Sequence, residues 1–178
     1  MSVEKDVVCR AAKGDGEAFA SLYEEYFDRI YRYLYLRLES QSDAEDLTQE
    51  VFVKALEAIG GYKWRGLPFA SWLFRIAHNL MVDLLRKQGK VAQEACDDIP
   101  AGGESDPAAI AERNLEVARL IDNMDKLSPA QKEVLSLRFG AGLSIAEVAH
   151  LLGKSQGTVK ALQYNGIVAL RKRLTGEG

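Results

Sequence analysis

Apolar residues in the first half of the chain recur every three or four positions, which is the spacing of one helical face. Before a polar break at residues 39–42, one such stripe contains Ala18, Leu22, Tyr26, Ile30, Tyr33 and Leu34. After it, Ser42 and Glu45 predict a capping box, and the next stripe contains Leu47, Val51, Phe52, Ala55 and Ile59. After a loop at residues 60–68, a third is expected to bury Phe69, Trp72, Leu73, Ile76, Ala77, Leu80 and Leu84. Residues 15–86 therefore predict three or four packed helices.

Between Ser144 and Arg173 the pattern predicts two helices that meet at a tight turn. Ser144 and Glu147 are spaced as a capping box for the first helix. Gly153 can adopt the left-handed conformation that ends it, and Ser155 can cap the next helix. The expected inward positions are Ile145, Val148, Ala149, Leu152, Val159 and Leu162. This arrangement is typical of a helix-turn-helix that reads DNA.

The periodic pattern stops between residues 88 and 107, where the sequence is acidic and rich in proline and glycine. Such a composition predicts a flexible linker and a domain boundary. A helix is expected from about Ala108 to Met124, and Ser128 and Gln131 predict a capping box with Pro129 at the first helical position. We find no convincing strand. The predicted fold is all-α, with an N-terminal helical bundle (1–87), a flexible acidic linker (88–111) and a C-terminal helix-turn-helix domain (112–178).

Charge is distributed unevenly along the 178 residues, although the net charge is only -3. Residues 1–87 carry 12 basic and 14 acidic groups, residues 88–112 carry 1 and 6, and residues 113–178 carry 10 and 6. No acidic residue lies between Gly153 and Thr175. The C-terminal domain therefore presents the one-signed basic field that suits DNA phosphates.

Other classes of function find no support in the residues. Cys9 and Cys96 are far apart, and neither lies in a metal-like spacing, so we expect reduced thiols and no metal or cofactor. No phosphate-cradling glycine loop and no nucleophile with a base is present, so we expect no enzyme. The absence of a signal peptide and of an apolar run long enough to span a bilayer predicts a cytoplasmic protein without membrane insertion.

Three blocks in the chain, taken in order, resemble sigma-70-type transcription initiation factors. Residues 43–55 are similar to their core-polymerase-binding segment, residues 72–86 to their promoter -10 helix, and residues 127–173 to their -35-reading domain. Without an N-terminal extension or an intermediate domain, the chain looks like the small extracytoplasmic-function (ECF) group. The resemblance implies a subunit that binds the RNA polymerase core and directs promoter recognition, strand opening and initiation. It also implies an anti-sigma partner.

The first block is acidic at the start of its helix. The resemblance assigns core polymerase binding to Asp43, Glu45, Asp46, Gln49 and Glu50. Among these, Gln49 and Glu50 are the main candidates. The alternative is a solvated face, because acidic groups stabilise a helix N-terminus without any partner.

The second block should capture unpaired bases, which stack on aromatic rings while basic groups follow the backbone. The -10 candidates in the loop are Tyr62, Lys63, Trp64 and Arg65. Those expected on the exposed side of the next helix are Phe74, Arg75, His78, Asn79, Val82 and Arg86. Trp72 lies on the apolar stripe and is expected in the core, whereas Trp64 fits either environment. His78 is expected to make a polar contact rather than act as a base, and Asp83 and Arg86 also fit an ion pair along the helix.

In the third block, the second helix should enter the major groove by its N-terminal part. The -35 candidates are Lys154, Ser155, Gln156, Thr158, Lys160, Gln163, Arg171, Lys172 and Arg173. Base discrimination is expected from Gln156, Lys160 and Gln163. Contacts with phosphates are expected from Lys154, Arg171, Lys172 and Arg173. Leu162 and Asn165 stand where the family tends to carry arginines, which predicts a weaker grip on phosphates. We expect Val159, Leu162, Ile167 and Leu170 to pack in the core of the domain.

Two alternatives remain open at this point. The acidic linker is either a solvated tether or, as the resemblance implies, a segment that threads through basic channels of the polymerase. The chain as a whole could instead be a stand-alone helix-turn-helix regulator whose N-terminal domain senses a ligand or dimerises. That alternative predicts tight operator binding in the absence of polymerase.

Overall fold

A computed structural model describes residues 2–90, 122–124 and 126–176. The chain divides into two compact units, Met1–Val91 and Ala92–Gly178. The described residues form helices and no strand, which confirms the predicted all-α class with two helical domains. Most of the predicted linker and most of the helix expected from about Ala108 lie outside the described residues, although residues 122–124 are helical. The boundaries at 87, 88, 111 and 112 therefore stay predictions.

The N-terminal unit is a bundle of helices α1 (Val3–Ala12), α2 (Gly16–Leu38), α3 (Gln41–Ala58) and α4 (Phe69–Lys87). A 3-10 turn at Ile59–Gly61 follows α3. Helix α2 packs against the other three helices, and α3 also packs against α4. The largest side chains buried between them are Leu22, Ile30, Tyr33, Leu34, Phe69, Leu73, Phe74 and Met81. The core therefore lies around α2.

Helix α1 was not anticipated from the sequence. Ser2 caps it by accepting a hydrogen bond from the Lys5 N–H at 3.2 Å, and Glu4 and Asp6 occupy its first turn, where negative charge is favourable. Only Val8 and Ala11 on this helix are buried. Two buried positions are too few to produce a recognisable period, and the capping serine was the available signal.

The break between α2 and α3 falls where it was predicted, but the capping residue differs. Helix α2 ends at Glu39, which has a left-handed φ of 55°. The chain then extends at Ser40, whose hydroxyl accepts a hydrogen bond from the Asp43 N–H at 3.3 Å. The expected capping box of Ser42 and Glu45 is wrong, because the reversal at Glu39 is completed early enough to place Ser42 inside the helix.

Helix α4 is rotated relative to the expected face. Phe69, Leu73 and Ala77 are buried as predicted, but the other four expected positions, Trp72, Ile76, Leu80 and Leu84, are only half-buried. Their place in the core is taken by Ala70, Ser71, Phe74, Met81 and Leu85. The helix is apolar on more than one side, so its contacts with α2 and α3, rather than its period, select the buried face.

The C-terminal unit contains α5 (Pro129–Leu135), a π-helical turn (Ser136–Gly140), α6 (Ile145–Leu152) and α7 (Gln156–Leu174). Helices α5 and α6 both pack against α7. The buried positions confirm core packing for Val159, Leu162, Ile167 and Leu170.

The helix-capping residues predicted in this unit are confirmed, whereas Ile145 and Leu152, which were expected to face inward, are half-buried. Ser128 and Gln131 form the predicted capping box, with Pro129 at the first helical position. Ser144 and Glu147 form the box that starts α6, Gly153 ends α6 with a φ of 64°, and Ser155 caps α7. The turn between α6 and α7 is therefore set by short-range hydrogen bonds. In the described part of the chain, no helix is both long and apolar enough to cross a membrane.

Candidate nucleic-acid and partner surfaces

The acidic residues of α3 differ in how available they are for a partner. Asp46, Gln49 and Glu50 are exposed. The Glu45 carboxylate accepts a hydrogen bond from the Gln41 amide at 2.9 Å. Asp43 is half-buried, and its carboxylate lies 3.4 Å from the side-chain nitrogen of Gln88 at the end of α4. The structure thus leaves the middle of the helix most open to contact.

Two large aliphatic residues extend this exposed side of α3. Val53 is 55% exposed and Leu56 is 58% exposed, four and seven positions after Gln49. Positions with these offsets share one helical face. Exposed aliphatic residues beside polar ones are a feature of protein interaction sites. Sequence reasoning missed both residues because it sought only the inward stripe. We call Asp46, Gln49, Glu50, Val53 and Leu56 the α3 surface.

The outer face of α4 carries four of the predicted -10 residues in one line. Arg75, Asn79 and Arg86 are exposed and Val82 is half-buried, with offsets of four, seven and eleven positions. His78 lies beside this line and is half-buried, and its Nδ1 is 3.1 Å from the hydroxyl of Tyr33. The face is therefore basic and polar, with one aliphatic position.

Phe74 does not belong to that face. Its side chain is 0% exposed. Its ring packs edge-on against Tyr33 at 5.9 Å between centroids, and the guanidinium of Arg29 lies 5.7 Å from its centroid. The expectation that Phe74 is available to stack on a base is wrong, because the packing of α4 on α2 turns this position inward.

The loop before α4 presents its basic residues outward. Lys63 and Arg65 are exposed, and Trp64 is half-buried. Tyr62 packs edge-on against Phe69 and Trp72, at 5.7 and 5.1 Å between centroids. Tyr62 is half-buried, so this ring is partly enclosed rather than free. Burial, followed by the nearby Glu4 and Cys9, raises the pKa of its hydroxyl.

Residues at the start of α7 lie in the open. Lys154, Ser155, Gln156 and Lys160 are exposed and Thr158 is half-buried, while Arg171, Lys172 and Arg173 are exposed at the other end of the helix. The Ser155 hydroxyl is already engaged, because it accepts a hydrogen bond from the Thr158 N–H at 3.1 Å. The exposed charges of α7 itself are all basic.

Gln163 is not on the reading face of α7. It is 6% exposed, and its side-chain oxygen accepts a hydrogen bond from Arg138 Nε at 2.8 Å. The same guanidinium donates through Nη1 to the carbonyl of Leu143, just before α6. The expectation that Gln163 discriminates bases is wrong, because its amide ties α7 to the π-helical turn. Arg138, which the sequence analysis did not single out, thus links the π-helical turn to α7 and to the residue that precedes the cap of α6.

The described residues contain no group of three or more histidine, cysteine, aspartate or glutamate side chains that could hold a metal ion. Cys9 is a free, half-buried thiol.

Comparison with known proteins defines the class to which this fold belongs. Residues 22–91 match the family model for sigma-70 region 2, and residues 124–172 match that for sigma-70 region 4. The first matched region covers most of α2 and all of α3 and α4, and the second covers α5, α6 and most of α7. The helical units thus define a protein of the sigma-70 type.

Individual relatives narrow this class. The chain is 37% identical over 95% of its length to the ECF RNA polymerase sigma factor BldN of Streptomyces coelicolor. It is 32% identical over 98% of its length to SigW of Bacillus subtilis, of which it covers 97%. A structure of CnrH in complex with the cytosolic domain of CnrY is similar as well, with a TM-score of 0.75 and 26% identity. The match covers 99% of this protein and all of the matched chain in that structure. This protein belongs to the ECF sigma factors. It spans 65% of the length of BldN and of SigE from Mycolicibacterium smegmatis.

Proposed function

We propose that this protein is a dissociable specificity subunit of bacterial RNA polymerase, which recruits the core enzyme to promoters and opens the strands there. The observation that carries the proposal is the ordered pair of matches to sigma-70 regions 2 and 4, each on its own helical unit. A stand-alone regulator is not favoured, because its N-terminal domain would sense or dimerise, whereas this unit resembles region 2. We expect the protein to act in the cytoplasm, where the polymerase is, and to perform no catalysis itself.

The α3 surface is the proposed contact with core polymerase. The amide of Gln49 and the carboxylate of Glu50 are adjacent and exposed. Val53 and Leu56 supply exposed apolar surface beside them. Removal of exposed aliphatic groups from water favours association, although the costs of ordering the partners keep the affinity from scaling with the area buried. Charge complementarity with a basic partner speeds encounter and sets register. The two kinds of residue therefore have different roles in one interface.

The loop at residues 62–68 and the outer face of α4 form the proposed -10 surface. Trp64 is the candidate stacking ring, and Lys63 and Arg65 flank it as exposed cations. Stacking of a base on an aromatic side chain contributes about 1–3 kcal/mol. Arg75 and Arg86 continue the basic path along α4. Such a surface favours a separated strand over a stacked duplex, which is the requirement for opening.

The exposed start of α7 is the proposed reader of the -35 element. Gln156 and Lys160 are the remaining candidates for base contacts, since Gln163 is buried. Lys154, Arg171, Lys172 and Arg173 are proposed to contact phosphates. We also propose an anti-sigma partner that covers the polymerase- and DNA-binding faces; in support, the similar protein CnrH has a structure in complex with the cytosolic domain of CnrY.

Binding to purified core polymerase, measured by cosedimentation, tests the proposal. We expect the unchanged protein to bind, and the double variant Gln49→Ala, Glu50→Ala to bind at least about tenfold more weakly, as for residues at the centre of an interface. Glu24→Ala, an exposed change on α2, serves as the control and should bind normally. The proposal is wrong if the unchanged protein ignores core polymerase, or selects promoter sites equally well without it.

A further inference from the structure

Four aromatic rings of the N-terminal unit form a cluster under the loop at residues 62–68. The Phe69 ring lies at its centre, with centroid distances of 5.7 Å to Tyr26, 5.7 Å to Tyr62 and 5.3 Å to Trp72. Tyr62 and Trp72 also contact each other at 5.1 Å. Edge-on pairs at these separations are favourable beyond the area that they bury. We call Tyr26, Tyr62, Phe69 and Trp72 the aromatic cluster.

The cluster closes the loop at its base. Tyr62 is the residue at which the chain enters the loop, and Phe69 is the first residue of α4 after it. The backbone is held at both ends as well, because the Tyr62 N–H donates to the Ile59 carbonyl and the Ser71 N–H donates to the Pro68 carbonyl, each at 3.0 Å. Contact between Tyr62 and Phe69 therefore limits the conformations that the intervening residues can adopt.

Helix α1 contacts the aromatic cluster through a side-chain hydrogen bond. The hydroxyl of Tyr26, which is buried, donates a hydrogen bond of 2.7 Å to the Glu4 carboxylate. Helix α1 also packs against the 3-10 turn that leads into the loop. Burial, and then Glu4, raises the pKa of the Tyr26 hydroxyl, so it remains a donor. A charge-assisted bond between segments far apart in sequence holds α1 in place against α2.

We propose that α1 is a brace for the -10 loop: the bond from Tyr26 to Glu4 and the aromatic cluster hold Lys63, Trp64 and Arg65 in one geometry before DNA arrives. Tyr62 and Trp72 are then positioning residues rather than base-stacking residues. A loop that is already ordered loses less conformational entropy when it captures a strand. The part of this proposal that concerns DNA rests on the proposed function, whereas the part that concerns loop order does not.

Fluorescence of Trp64 in the free protein tests the brace without polymerase. The chain has two tryptophans, so Trp72→Phe, which keeps a ring in the cluster, leaves Trp64 as the only reporter. In this background we expect Tyr26→Phe and Glu4→Leu each to raise acrylamide quenching of Trp64 and to lower its anisotropy. Glu4→Gln retains an acceptor oxygen but loses the charge, so it should give a smaller response than Glu4→Leu. Tyr31→Phe, the same change on the same helix in a ring stacked on Tyr35, is the matched control.

Capture of a single-stranded -10 oligonucleotide by the assembled polymerase holoenzyme gives the functional readout. We expect about a tenfold loss for Tyr26→Phe and for Glu4→Leu, which is the size of one charge-assisted hydrogen bond. Core binding should be unchanged, since α3 is not altered. Tyr62→Leu, which removes the ring without altering α1, should give the same response of Trp64.

Unchanged quenching and anisotropy of Trp64 in Tyr26→Phe, Glu4→Leu and Tyr62→Leu would overturn the brace. So would loss of helical ellipticity in step with the loop response, because the effect would then be global unfolding. Failure of the unchanged protein to capture the strand would overturn the proposed function instead, while the response of Trp64 in the free protein would still decide the brace.

Discussion

A single methyl group at Gly166 should disturb the packing of α5 on α7. A Cβ added there would lie 2.8 Å from Leu135 Cδ1, 3.3 Å from Leu135 Cγ and 3.5 Å from Gln131 Cβ. Carbon atoms in ordinary contact are about 3.5–4.0 Å apart, so the overlap at the closest atom is at least about 0.7 Å. Leu135 is buried and has little room to turn away. The glycine therefore permits the close approach of the two helices.

The magnitude follows from two opposing terms. Overpacking of a buried site costs about 1–3 kcal/mol, whereas replacement of glycine by alanine inside a helix contributes about 1 kcal/mol of stability. We expect Gly166→Ala to be destabilised by up to about 2 kcal/mol in net terms. Gly157→Ala, on the same helix, is the matched control, because a Cβ there meets only the Ser155 hydroxyl at 3.9 Å. The difference between the two variants removes much of the propensity term and should be about 1–3 kcal/mol.

Urea denaturation followed by far-UV circular dichroism measures this difference, and amide hydrogen exchange in peptides from α5 and α7 localises it. We expect faster exchange in both helices for Gly166→Ala and unchanged exchange for Gly157→Ala. Equal stability of the two variants, with equal protection of α5, would refute the argument. It would mean that Leu135 can adjust at no cost, and that the glycine is not needed for the approach.

Three further changes test the helix ends and the bundle core. Ser144→Ala removes the capping box of α6 and should cost about 1 kcal/mol, measured as a lower urea midpoint. Phe74→Ala should cost about 3–5 kcal/mol and lower the thermal midpoint, because the buried ring leaves a cavity. The pKa of Asp15 is lowered by its hydrogen bond from the Ala18 N–H and then by Arg10, so its stabilising effect is present above the unfolded pKa and is lost as pH falls through the folded value. Stability measured between pH 6 and 3 should therefore fall below about pH 4, and less so in Asp15→Asn.

Each of these predictions has a control in the same unit or in a similar helix. Ser42→Ala changes a serine that caps no helix and should shift stability by less than about 0.5 kcal/mol. Val53→Ala removes an exposed aliphatic side chain and should leave the thermal midpoint nearly unchanged. Asp28→Asn changes an exposed residue on α2, and the stability of this variant should fall with pH as the parent's does. A capping variant as stable as the parent, a tolerated Phe74→Ala, or equal acid profiles for Asp15→Asn and Asp28→Asn would each contradict the corresponding argument.

Helical spacing and capping residues locate some parts of the candidate sites by themselves. The exposed start of α7 and the polar side of α3 follow from these two signals, and most predicted residues there are exposed. Whether Gln156, Lys160, Gln49 and Glu50 make the proposed contacts stays a prediction. Exposed aliphatic residues such as Val53 were missed, because a pattern search for core positions does not ask what the remaining apolar residues do.

Most of the division into helices and turns was determined by the sequence, because the interactions that set it are local; helix α1 and the cap of α3 are the exceptions. The capping pair of Ser144 and Glu147 and the left-handed Gly153 act across three or four residues, and they define the helix-turn-helix without reference to the rest of the chain. Tertiary structure decided which side of an apolar helix is buried. Phe74 points inward, Gln163 meets Arg138, and Tyr62 joins a cluster, because partners distant in sequence occupy those positions. No local period carries that information, since it depends on how separate helices pack.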